Sequence, residues 1–264
     1  VFDFDKITAI GMYDGKAPYK YGELQCVAHQ HQVRMLDWNV ASDAFGQLGF
    51  GRRDPAFLSN ATAVAIYAEY MASYVSTAGI DGIILDIETG RSSPPALLKA
   101  LREGNTALTC ALKQALVVKT PGAVLTWAMP LHVTNDDAYD YSAIMECGAD
   151  YLTPMAYEVW QGSKGSPTLT GPAFASPTVT SNQIRQGVES YKRLGVQASD
   201  LVMALFWGGS EFMCNNTQGY WTVPGRVGCR LSDRMQSAGP DVGSGQIAQL
   251  LTQSMDLSKW KHPP

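Results

Sequence analysis

The sequence predicts a parallel β/α barrel, and three observations carry that reading. Short apolar, β-rich runs alternate with longer amphipathic stretches, the pattern of strands joined by crossover helices. Polar side chains gather at the C-terminal ends of those runs: Asp37 and Asn39, Asp86 and Glu88, Tyr157 and Glu158, and Trp207. In a β/α barrel that end of the sheet carries the chemistry. No G-x-G-x-x-G follows the first run, because Gly49-Phe50-Gly51 leads into Arg52-Arg53-Asp54 without a third glycine. A dinucleotide-binding, doubly wound sheet is therefore disfavoured.

The strands are expected over Ile7–Tyr13, Val33–Asn39, Ile80–Ile87, Ala123–Met129, Tyr151–Tyr157 and Leu201–Trp207. Helical stretches lie between them, near Tyr21–His31, Ala61–Thr77, Pro95–Val118, Tyr141–Cys147 and Ser181–Leu194. Pro94-Pro95 opens one helix, at a position where the missing N–H has no intrahelical partner to lose. Gly79 and Gly195 stand where helices should stop. Two segments rich in Gly, Ser, Pro and Thr, Gln161–Thr180 and Gly208–Gly245, read as long loops over the catalytic face. No repeat or linker divides the chain.

Composition narrows the function classes. The 264 residues are 45% hydrophobic and 17% charged, enough for a sizeable core. A net charge of −4 with no basic run argues against nucleic acid, whose binding rests on phosphate neutralisation. No apolar run approaches the roughly 18 residues of a membrane span. The chain starts at Val1 with no basic-then-apolar leader, so either a signal has been removed or the sequence is a fragment.

Five cysteines (Cys26, Cys110, Cys147, Cys214 and Cys229) show neither C-x-x-C nor zinc spacing, and no metal or cofactor is expected. Cys214 and Cys229 flank a Gly/Asn/Pro-rich stretch and suit a disulfide closing a surface loop; two free thiols are the alternative. The sequons Asn60-Ala61-Thr62 and Asn215-Asn216-Thr217 make Asn60 and Asn215 glycosylation candidates and hint at secretion.

The sharpest chemical signal is Asp81-Gly82-Ile83-Ile84-Leu85-Asp86-Ile87-Glu88. In a strand, Ile84, Asp86 and Glu88 share one face and Ile83, Leu85 and Ile87 the other. Two carboxylates on one face of an apolar strand are expensive to bury. Mutual repulsion raises the pKa of one member of such a pair, leaving an acid able to donate a proton. The competing reading is a strand end whose carboxylates meet solvent or cap the next helix.

Asp-Gly-x-x-x-Asp-x-Glu closing a strand resembles the signature of glycoside hydrolase family 18, the chitinases and their relatives. Other stretches support the resemblance in order: Lys6-Ile7-Thr8-Ala9-Ile10, Glu23 to His29, Asp54-Pro55-Ala56-Phe57, Met155-Ala156-Tyr157-Glu158, Leu201 to Gly208, and Arg226 to Asp233. It covers nearly the whole chain and leans toward the exo-acting, chitobiose-cleaving members.

The resemblance implies a (β/α)8 TIM barrel, incomplete here because the first and last strands are not visible, as one catalytic domain over 1–264. It implies Glu88 as general acid and later base, Asp86 as the residue orienting the substrate's 2-acetamido group, and Tyr157 as its hydrogen-bond partner. That acetamido group is the nucleophile, so the mechanism is substrate-assisted and retaining. Met155, Glu158 and Trp207 are expected at the substrate. N-acetylglucosamine oligosaccharides are the implied ligand, the protein is expected to be monomeric, and its location lysosomal or secreted.

Three departures point the other way. The family carries Asp, and its chitobiose-cleaving branch Asn, where this chain has Ile84. Glu158 replaces the family's Asp, and Gly208 stands where that branch has Tyr. A catalytically impaired glycan-binding relative is the alternative.

Overall fold

The computed structural model describes residues 3–12, 22–38, 55–87, 94–157 and 179–205, and the backbone of 208–210, 220–223, 226–229 and 241–243. Six strands form one sheet in chain order: β1 (Ala9–Met12), β2 (Arg34–Trp38), β3 (Gly82–Leu85), β4 (Val124–Pro130), β5 (Tyr151–Ala156) and β6 (Ala204–Leu205). β1 to β5 pair in parallel, with Ile10 opposite Met35, Trp38 opposite Ile84, Ile84 opposite Thr126, and Ala128 opposite Thr153. A parallel bridge joins Leu152 to Leu201 ahead of β6. The helices are α1 (Gly22–Gln30), α2 (Pro55–Leu58), α3 (Ala61–Ala78), α4 (Pro95–Lys119), α5 (Tyr141–Glu146) and α6 (Ser181–Arg193). The alternation read from the sequence is thus the one observed.

Burial distinguishes a barrel-type sheet from a doubly wound one. Met35, Ile83, Leu85, Leu125, Trp127, Met129 and Leu152 pack into one core with Tyr67, Met71 and Val75 of α3 and with Leu108, Leu112 and Leu116 of α4. On the opposite face Leu36, Ile84 and Val124 form a cluster of their own, with Trp38 against it. Among the described residues the helices lie against one face, as a β/α barrel requires.

α1, α3, α5 and α6 end by the same device. One or two residues past each helix end the chain turns left-handed, at Gln32 (φ 60°), Gly79 (63°), Gly148 (95°) and Gly195 (87°). The following N–H then reaches back five residues: Val33 to Ala28, Ile80 to Val75, Ala149 to Ile144 and Val196 to Tyr191. That is the Schellman arrangement, and its partner hydrophobes Val33, Ile80, Ala149 and Val196 are all buried.

Two aspartates anchor the opposite end of the strands. Asp81 Oδ2 accepts from the Met35 N–H at 2.7 Å and meets His29 Nε2 at 2.8 Å, while its own N–H donates to the Met35 carbonyl at 2.8 Å. Asp150 repeats the pattern two strands on, with the Leu125 N–H at 2.7 Å, Lys113 Nζ at 2.7 Å and the Leu125 carbonyl at 2.8 Å. Gly82 is required by the close approach of β4: a Cβ there would stand 2.1 Å from the Val124 oxygen. The first two residues of the Asp-Gly motif therefore serve the fold.

A disulfide between Cys110 of α4 and Cys147, just beyond α5, has its Cα atoms 4.5 Å apart. The two cysteines are 37 residues apart, with no spacing signature that pairs them. Cys26 is a free, exposed thiol. Among the described residues no helix is long and apolar enough to cross a membrane.

By internal contacts the chain forms two units, residues 1–155 with 186–203, and 156–185 with 204–264. The second contains two antiparallel pairs, β7 (Gly208–Ser210) with β10 (Asp241–Gly243), and β8 (Tyr220–Val223) with β9 (Arg226–Cys229). The expectation of plain loop over Gly208–Gly245 is corrected here. Tyr220-Trp221-Thr222-Val223 is a β-forming run, and Val223 pairs with Arg226 across Pro224-Gly225, a turn dipeptide.

Candidate active site

β3 ends at Leu85, so Asp86 stands one residue beyond it. The two-residue alternation places Asp86 with Ile84 on the face away from the helices. Asp86 is half-buried; its Oδ2 accepts a 3.2 Å hydrogen bond from Trp38 Nε1 of β2. Its Oδ1 is buried and has no hydrogen-bond partner among the described residues. A buried carboxylate oxygen without a donor is an acceptor whose hydrogen-bonding capacity is still unfilled.

The surroundings of Asp86 are apolar below and polar alongside. Ile84 is 7% exposed and packs with Leu36, Val124 and Trp38. Across β4 and β5, Thr126 and Thr153 join hydroxyls at 2.9 Å on the helix-free face. Behind the strand, the buried Tyr139 hydroxyl donates to the Ile87 carbonyl, and its ring meets Trp127 edge-on at 6.0 Å. That hydrogen bond fixes the backbone immediately before Glu88.

Glu88, Glu158, Trp207, Cys214 and Asn215 lie outside the described residues, as does the side chain of Cys229. Met155 is half-buried near the end of β5 and pairs with Pro130 of β4. Tyr157 follows β5 directly and is half-buried. Asn60 is exposed and caps α3, its Oδ1 accepting from the Ala63 N–H at 3.1 Å.

Asp37 belongs to the other face, not to this cluster of strand-end polar groups. It is fully buried, and the Tyr74 hydroxyl of α3 donates to its Oδ2 at 2.5 Å. Burial first, and then the negative charge of Asp37, push the Tyr67 hydroxyl well above the ordinary tyrosine range. Tyr141 is raised likewise by burial and by Asp137, to which it donates at 2.8 Å. Strand parity could have separated Asp37 from Asp86: Met35 and Asp37 share the helix side, Leu36 and Trp38 the free side. The Trp38 contact joins residues 48 apart on different strands and had no signal in the sequence.

A cavity of about 250 Å³ opens elsewhere, among Arg102, Asn135, Asp140, Ser142 and Arg193. Arg102 is already committed there, donating to the carbonyls of Asn135 at 2.6 Å and Asp137 at 2.8 Å. No residue of the helix-free face lines it.

Comparison with known proteins points one way. The model of the family "Glycosyl hydrolases family 18" matches residues 48–247. The di-N-acetylchitobiase of Rattus norvegicus is 25% identical over 264 residues, covering 98% of this chain and 64% of the rat protein. The human di-N-acetylchitobiase is 24% identical, covering 98% of this chain and 61% of its own length. The chain thus spans less than two thirds of these curated relatives. Among solved structures, the family GH18 chitinase from Cycas revoluta in complex with allosamidin superposes with a TM-score of 0.66 at 17% identity, covering 96% of this chain and 75% of that one. The second catalytic domain of an Ostrinia furnacalis Group II chitinase gives 0.62 at 16% identity, over 96% and 69%. These superpositions establish the barrel fold.

Proposed function

Because the chain belongs to glycosyl hydrolase family 18, we propose that it hydrolyses β-1,4-linked N-acetylglucosamine oligosaccharides, as the names of its chitobiase and chitinase relatives suggest. The observation that carries the reading is Asp86, on the helix-free face with one buried carboxylate oxygen lacking a partner among the described residues and Glu88 two residues on.

In the proposed reaction Glu88 donates a proton to the glycosidic oxygen as the bond to the anomeric carbon breaks. The carbonyl oxygen of the substrate's own 2-acetamido group forms the new bond to that carbon, giving an oxazolinium ion. Asp86 accepts the acetamido N–H and balances the positive charge that develops on it. Tyr157 holds the acetamido oxygen in line for attack. Water, deprotonated by Glu88, then opens the ring with net retention.

Glu88→Gln keeps the shape and removes the proton. It should lower turnover of a chromogenic di-N-acetylchitobioside by about 10²–10⁴-fold while oligosaccharide binding persists. A variant with wild-type turnover sinks the assignment. The second reading, a glycan-binding relative with impaired chemistry, is favoured by Ile84, an apolar residue in a position where the family is polar; it predicts binding without turnover in the wild type.

The same reading extends to location. The Cys110–Cys147 disulfide suits an oxidising compartment, consistent with a lysosomal or secreted protein. Asn60 suits a glycan, because the cap uses Oδ1 and leaves the amide nitrogen to carry the sugar.

A further inference from the structure

We propose that Trp38 is a positioning residue for Asp86, supplying from β2 the polar partner that Ile84 cannot supply from within β3. The inference rests on the functional reading above and goes beyond it, since it explains how this chain can carry an apolar residue at position 84.

The geometry is specific. Trp38 pairs in register with Ile84, so its indole lies abreast of the position where a polar side chain would stand beneath the carboxylate. Its Nε1 donates to Asp86 Oδ2 at 3.2 Å. Indole is a donor with no acceptor, so the direction of this bond is fixed whatever the local protonation. The ring packs against the Leu36, Ile84 and Val124 cluster, which restrains its two side-chain torsions. Ile84 is therefore a wall for the indole as well as a missing donor. The two residues explain each other.

The consequence for chemistry concerns the other oxygen. With Oδ2 held by Trp38, the carboxylate cannot turn freely about its terminal torsion, and Oδ1 stays without a competing donor among the described residues. An acceptor held in one orientation serves an acetamido N–H better than one that must be ordered during reaction.

The test is a four-protein cycle on a chromogenic di-N-acetylchitobioside: wild type, Trp38→Phe, Ile84→Asn and the double variant. Trp38→Phe preserves an aromatic ring and deletes the N–H. Its kcat should fall about 10-fold or more, the size of a lost hydrogen bond to a charged group, with KM within about 3-fold. Ile84→Asn should recover part of that loss in the Trp38→Phe background while adding little to the wild type. Unchanged kcat in Trp38→Phe, or a loss that Ile84→Asn leaves untouched, overturns the inference.

A second measurement does not depend on turnover. The indole N–H proton resonance of Trp38 should move upfield in Asp86→Ala; an unmoved resonance also overturns it. A wild type that binds the substrate and never turns it over removes the functional reading, and the positioning role with it, even where the resonance reports the hydrogen bond. Active wild type with an active Trp38→Phe removes the inference alone.

Discussion

Asp37 and Asp86 are carboxylates at the ends of adjacent strands, and they have opposite fates. Asp37 faces the helices, is fully buried and takes a 2.5 Å hydrogen bond from Tyr74. Asp86 faces away from the helices and is half-buried, with one oxygen on Trp38 and the other without a partner among the described residues. The same contrast holds for their surroundings. Trp127 on the helix side is wholly buried, with its Nε1 satisfied by Thr109 at 3.1 Å, whereas Trp38 on the free side is half-buried and donates to Asp86. A side chain on the helix face is enclosed by the core. On the other face the core ends, and the polar groups that remain can be spared for a ligand.

That contrast can be broken by substitution. The largest effect on stability is expected at Trp127, where Trp127→Ala removes a fully buried ring and leaves the Thr109 hydroxyl without its donor. It should cost about 3–5 kcal/mol and lower the melting temperature by roughly 10 °C in a calorimetric scan. A shift near zero would mean that the helix-facing core does not hold the sheet. A smaller effect of opposite sign is expected at Gln32, which occupies the left-handed turn filled by glycine at 79, 148 and 195. Gln32→Gly should stabilise by about 0.5–1 kcal/mol in denaturant titration, because a side chain in that region is strained and glycine is not. A loss of stability there would show that the Gln32 side chain contributes something the turn geometry does not reveal.

Much of this fold was legible because its signals are local. The β3 alternation placed Asp86 with Ile84 directly, and Gly79 and Gly195 marked two of the left-handed helix ends. Gln32 occupies the same turn with no glycine to announce it. The Cys110–Cys147 pair, 37 residues apart, carries no spacing signature, so the pairing needed the packing of α4 against α5 to be known. Asp37 stands at a strand end like the pocket residues, while strand parity assigns it to the core. Trp38 and Asp86 are far apart in sequence and meet through the register of β2 and β3, which no single strand encodes.

The central claim is that the helix face holds the fold while the opposite face carries the chemistry. Asp86→Asn tests it most directly, with turnover of a chromogenic di-N-acetylchitobioside and the melting temperature measured on the same sample. The account predicts turnover lower by about 10²-fold or more, the scale of losing one charge-stabilising group, with the melting temperature within about 2 °C of wild type. Wild-type turnover per folded molecule together with a large fall in melting temperature would contradict it, and would make Asp86 a residue of the core.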